Sequence, residues 1–77
     1  MKRRSEPVDV DVTKGWPVVI RRNGRIYRVE SMLDVWIVQG KWWSREERRV
    51  YFRVSTTHGI MDVYNADATW ILASVED

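Results

Sequence analysis

Trp42 and Trp43 stand side by side in a cationic stretch that also holds Lys41, Arg45, Arg48, Arg49, Tyr51 and Arg53. Aromatic rings of this kind stack on nucleobases or fill protein pockets, and guanidinium groups meet phosphates or carboxylates. Neighbouring side chains on a strand point to opposite faces, so one core cannot bury both tryptophans. One of the pair is expected outside, on a surface that binds. Arg22, Arg25 and Arg28 surround Asn23-Gly24 and form a second basic group, expected beside the first. Two classes of partner fit. Trp, Tyr and Arg are enriched at protein interfaces, which points to another protein or to a second copy of this chain. The same residues on a small barrel could stack the bases of single-stranded nucleic acid. Glu46 and Glu47 lie inside the basic stretch and weaken the phosphate reading, so the protein partner is favoured.

Other chemistry finds little support. His58 is the only histidine, and it precedes Gly59 in an expected turn, where a solvated side chain is the simpler role. A general base needs a partner within hydrogen-bond reach, and none can be named. Asp9 and Asp11 share one face of an expected strand with Glu6 nearby, but adjacent acids on a wet face usually only solvate it. No phosphate-binding loop, dinucleotide fingerprint or nucleophile motif is present. With no cysteine, disulfides and thiolate metal sites are excluded. The expectation is a non-catalytic chain with no metal, no cofactor and no small-molecule substrate.

The elements that must position these residues alternate with period two. Val8, Val10 and Val12 share one face, and Asp9, Asp11 and Thr13 share the other. Lys14-Gly15 breaks that strand. Trp16, Val18 and Ile20 then alternate, with Pro17 expected at the strand start or on an edge. Asn23-Gly24 supplies the two positive-φ residues of a type I′ hairpin. A long strand follows from Arg25 to Gln39, with a bulge expected near Ser31-Met32. The 40–49 stretch does not alternate; Ser44-x-x-Glu47 has the spacing of a helical capping box, so a single helical turn or a flexible loop is expected there. Val50, Phe52 and Val54 mark a further strand, then Thr56–Gly59 a turn, and Ile60–Tyr64 a strand. Trp70–Val75 is largely apolar on both parities, so that strand should be central or sandwiched.

Tyr27, Val29, Leu33, Val35, Val50, Phe52, Val54 and Trp70 are the expected core, with Trp16 and Trp36 buried beside it. The fold class is all-β: an antiparallel meander of about six strands curled into an SH3-like barrel or roll. Residues 1–5 are expected to be a mobile basic tail and 6–77 one β domain.

At 77 residues the chain can form one domain. A domain this small buries only roughly 60% of its unfolded surface, so its net stability should be about 3–5 kcal/mol. Five tryptophans compensate for the missing disulfides. All 13 Lys and Arg fall within residues 1–53, while residues 54–77 carry four acids and no base. The two halves can therefore neutralise each other across neighbouring strands, or leave a basic face for an anionic partner. No apolar run approaches the about 20 residues of a membrane-spanning helix, and the basic N-terminus has no apolar stretch behind it. A soluble, cytoplasmic chain is expected.

The ordered landmarks carry a resemblance. Glu6-Pro7-Val8, Gly24-Arg25-x-Tyr27-x-Val29, Leu33-Asp34-x-Trp36, Trp42-Trp43, Tyr51-Phe52-Arg53-Val54, Val63-Tyr64, Trp70-x-Leu72 and Val75-x-Asp77 follow one another along nearly the whole chain. The pattern resembles a bacterial family of small domains of unknown function, whose members are sometimes encoded near genes for translesion DNA polymerases. The resemblance implies an accessory link to DNA damage tolerance and brings no catalytic residue with it. The end of the chain, Ala73-Ser74-Val75-Glu76-Asp77, departs from the family by lacking an additional arginine and tryptophan found there.

Overall fold

Positive backbone φ angles punctuate the chain where the sequence allows them. Lys14-Gly15 (φ 52° and 85°), Asn23-Gly24 (52° and 75°) and Asp67-Ala68 (49° and 67°) each close a two-residue hairpin of the kind that matches strand twist. Apart from these turns, the Thr57-His58 turn and Val8, all the described residues are strand. The computed structural model describes residues 2–42 and 45–76, with Lys2 and Trp42 by backbone alone. Seven strands form: β1 (Lys2–Pro7), β2 (Asp9–Thr13), β3 (Trp16–Arg22), β4 (Arg25–Trp42), β5 (Arg45–Thr56), β6 (Gly59–Ala66) and β7 (Thr69–Glu76). All neighbours are antiparallel, in the order β1-β7-β6-β5-β4-β3-β2.

That order dictates the curvature. β1 and β2 are the two ends of the sheet, yet only Val8 separates them in the chain. The sheet must therefore curl until its ends meet. Pro7 faces Ile71 on β7, Asp9 faces Arg21 on β3, and the Val8 amide between them donates to the Trp70 carbonyl at 3.1 Å. Arg22 reaches across the same join to Glu6, Nε to Oε2 at 2.8 Å. The result is the expected all-β, barrel-like fold.

The inside of the curl holds Ile20, Tyr27, Phe52, Val54, Met61, Val63, Leu72 and Val75, all buried. Val8, Val10, Val29, Met32, Val50 and Trp70 pack around them, partly covered. β7 lies between β6 and β1, a central position, with Leu72 and Val75 buried in the core and Ile71 and Ala73 half-buried.

Four expectations are corrected. Residues 2–5 are no tail: they belong to β1, where Lys2 and Arg3 pair with Val75 and Ser74 of β7. Arg45–Glu47 continues β5 in place of a helical turn or a loop; Ser44 lies outside the described residues. Leu33 and Val35 leave the core, exposed by 49% and 39%. The pairing of β4 with β5 shifts between Val29 and Ser31 and again between Met32 and Asp34, so alternation does not run on unbroken from Tyr27. Trp16 is also no core residue, at 49% exposure, although its ring meets Phe52 edge-on. Trp36 and Trp70 are half-buried, on opposite faces of the sheet.

The join between β1 and β3 should be sensitive to acid. The Arg22 hydrogen bond holds the Glu6 carboxyl below its ordinary value of 4.5. A carboxylate with a lowered folded pKa stabilises fully above its unfolded pKa and loses that contribution as pH falls through the folded value. The melting temperatures of the wild type and Glu6→Gln should differ at neutral pH and converge below about pH 4, the range in which a free carboxyl protonates. Parallel curves across that range would show that the pair does not tie the sheet ends together.

Candidate binding surface

The two faces of the sheet differ in chemistry. On the outer face, cross-strand pairing aligns Trp36, Tyr51 and Tyr64 on β4, β5 and β6. The Trp36 and Tyr51 rings stack with centroids 5.2 Å apart and planes 6° from parallel, and Tyr51 meets Tyr64 at 4.9 Å. Arg49 lies over the Tyr64 ring at 4.5 Å, and Arg53 lies over Trp36 at 5.5 Å. Both arginines also hold carboxylates. Arg49 Nε donates to Glu47 Oε1 at 2.7 Å. Arg53 donates from Nε and Nη2 to the two oxygens of buried Asp62, at 2.8 and 2.9 Å, and Ser74 Oγ donates to Asp62 Oδ2 at 2.9 Å.

The electrostatics follow these bonds. The Asp62 hydrogen bonds push the Arg53 pKa further up. Burial works against the charge on Arg49, but Glu47 and Tyr51 outweigh it and leave its pKa raised. Burial also raises the Tyr64 phenol, against the pull of Arg49. Beside this row lies a groove of about 600 Å³, with Arg3 and Arg4 exposed along it and Tyr51 and Tyr64 in its wall.

Of the residues singled out by sequence, the structure brings Arg49, Tyr51 and Arg53 onto this outer face. Lys41, Arg45 and Arg48 lie exposed on the far part of the β4–β5 hairpin, where Arg45 reaches Asp67 at 3.1 Å. Arg25 and Arg28 are exposed at the other end of β4, and Arg22 is engaged by Glu6. The Asn23-Gly24 turn precedes β4, whereas Lys41 lies at its far end and Arg45 and Arg48 on the paired start of β5, so the two basic groups stand at opposite ends of an 18-residue strand. Trp43 and the side chain of Trp42 lie outside the described residues. Asp11 is held by Arg21 at 2.7 and 2.8 Å, and no group of three acids or histidines among the described residues is placed to hold a metal ion. His58 is exposed, its ring edge-on to Tyr27 at 5.4 Å. The described residues include no helix long and apolar enough to cross a membrane.

The feature missed at the sequence level is the edge of β4. β3 pairs only with Arg25–Arg28. From Val29 to Trp42, β4 has β5 on one side and no strand among the described residues on the other. This edge carries Leu33, Val35 and Ile37, exposed by 49%, 39% and 53%. Val35 and Ile37 face Phe52 and Val50, so they extend the apolar inner face. Val12 and Trp16 border the same face from β2 and β3, beside a cavity of about 310 Å³ walled by Val50, Phe52 and Trp70. The available signal was arithmetic. Pairing about Asn23-Gly24 sets Arg22 against Arg25, so a strand starting at Trp16 cannot accompany β4 past residue 31.

The chain matches no family model, no curated protein and no solved structure.

Proposed function

We propose that this chain is a non-catalytic protein-interaction module that binds its partner through the free edge and apolar flank of β4. One observation carries the reading: a long unpaired strand edge with three exposed aliphatic side chains. Natural sheets blunt such edges with lysine, proline or a covering element, because an open edge recruits another strand. Val29–Gly40 contains neither a proline nor a basic residue. Exposed contiguous apolar surface of this kind marks interaction sites. Strand addition to it would supply main-chain hydrogen bonds, and side-chain contacts would give selectivity.

The outer face suits nucleic acid less well. Its aromatic rings already stack on one another or lie under arginines, and Arg49 and Arg53 already hold carboxylates. Base stacking needs free ring faces, and phosphate binding needs uncommitted cations. The family resemblance adds a setting for the module, as an accessory to DNA damage tolerance.

The test compares the wild type with Ile37→Lys as immobilised bait in an extract of the source cell, alongside a titration of labelled single-stranded DNA. The expected result is a specific protein retained by the wild type and lost with the variant, and no saturable DNA binding at physiological salt. DNA binding that falls steeply with salt and is lost when Arg3 and Arg4 are neutralised would overturn the reading.

A further inference from the structure

We propose that the strand seated on the β4 edge is that of a second copy of this chain, running antiparallel about a twofold axis at Ile37. The inference rests on the reading of this edge as an interaction surface. The direction of the backbone groups fixes the register. The Val35 amide donates to the Asp34 side chain, to Oδ1 at 2.9 Å, so it points away from β5. Backbone groups alternate along a strand, so those of Ile37, Gln39 and Lys41 also point outward. Centring the axis on Ile37 sets it opposite Ile37 of the second copy, where the two residues exchange both main-chain bonds. Val35 then faces Gln39, Trp36 faces Val38, and Asp34 faces Gly40. The Asp34 carboxylate satisfies the Val35 amide until the Gln39 carbonyl of the second copy takes its place.

Three observations favour a second copy over an unrelated strand. Val35–Gly40 bears no charge, so self-pairing sets no like charges opposite one another. Apolar side chains meet on both faces in this register: Ile37 with Ile37 on the inner face, and Trp36 with Val38 on the outer. The far part of the hairpin is also only two strands wide. β6 begins its pairing with β5 at Val50, so Val38–Trp42 and Arg45–Arg49 pair with each other alone and reach the rest of the fold through side chains, Arg45 to Asp67 and Arg49 over Tyr64. Two strands by themselves are marginal in water, and a second copy would make four. Twofold self-pairing is also the commonest form of homo-oligomer.

The chain has no cysteine, so one introduced thiol reports its own neighbourhood. Sedimentation equilibrium of the wild type should show a monomer–dimer equilibrium, with Ile37→Lys raising Kd at least tenfold while the circular dichroism spectrum is unchanged. A short bismaleimide should link Ile37→Cys into dimers many times faster than Thr13→Cys, which places an exposed thiol on β2. A dimer that links no faster through residue 37 than through residue 13 would overturn the proposal. So would a wild type that stays monomeric up to about millimolar concentration, where even weak specific pairing is populated. A monomer that still retains a protein through the Ile37 edge would leave the interaction-module reading standing and remove only the second copy. A monomer that retains nothing would remove both.

Discussion

Replacing Gly59 with alanine is expected to cost about 2–4 kcal/mol, from a strained backbone conformation and a forced steric contact. Gly59 opens β6 with φ at +111°, a region that residues with a Cβ rarely occupy. A Cβ there would also run into the backbone carbonyl of Glu76 at the end of β7. Backbone cannot swing aside as the tip of a long side chain can. The site is further fixed by Thr56, whose hydroxyl donates to the Gly59 carbonyl at 2.7 Å and accepts from the His58 amide at 3.1 Å. Against a total of about 3–5 kcal/mol for a domain this size, the variant should keep only about 1 kcal/mol and be measurably unfolded near room temperature. Gly24 provides the comparison. Its φ is +75°, but a Cβ there meets nothing within 4 Å, so Gly24→Ala should cost only about 1–2 kcal/mol. Urea unfolding followed by circular dichroism measures both. Equal costs at the two positions would show that the Glu76 contact does not form.

The second large effect separates two leucines. Leu72 is fully buried, paired between Val63 on β6 and Glu6 on β1. Leu72→Ala should cost about 2–5 kcal/mol through lost burial and the cavity left behind. Leu33 sits on the open edge of β4 with half its surface in water. Leu33→Ala should change the stability of the monomer by no more than about 0.5 kcal/mol, as surface substitutions usually do. Alternation read continuously from Tyr27 would make Leu33 a core residue as well. Equal losses in a dilute urea titration would restore that reading and contradict the exposed edge.

This contrast also shows how far the sequence could be read. Asn23-Gly24 specifies its turn by backbone chemistry alone, and the alternation of Val50, Phe52 and Val54 specifies a face. Those signals are local, and the structure follows them. Strand neighbours are not local. Nothing in Lys2–Ser5 itself announces that it pairs with β7, whose sequence lies some seventy residues away. The bulge expected near Ser31 occurs, and a second one beyond Met32 returns the phase, so Val35 stays on the inner face but is exposed beside the open edge of β4, and Leu33 falls in the second shift. The lopsided charge resolves in part into pairs across the two halves, Arg53 with Asp62 and Arg45 with Asp67. Composition raised that outcome beside a free basic face, and the pairing of β5 with β6 decides it at Arg53.

The β4 edge can be tested at single amides. Alternation from the Val35 amide, which bonds the Asp34 side chain, turns the amides of Trp36 and Val38 toward β5 and those of Ile37 and Gln39 away. Hydrogen exchange measured residue by residue should therefore show Trp36 and Val38 protected at every protein concentration. Ile37 and Gln39 should be protected in concentrated samples and exchange progressively faster on dilution. Fast exchange at Ile37 and Gln39 across the whole concentration range would contradict pairing through this edge.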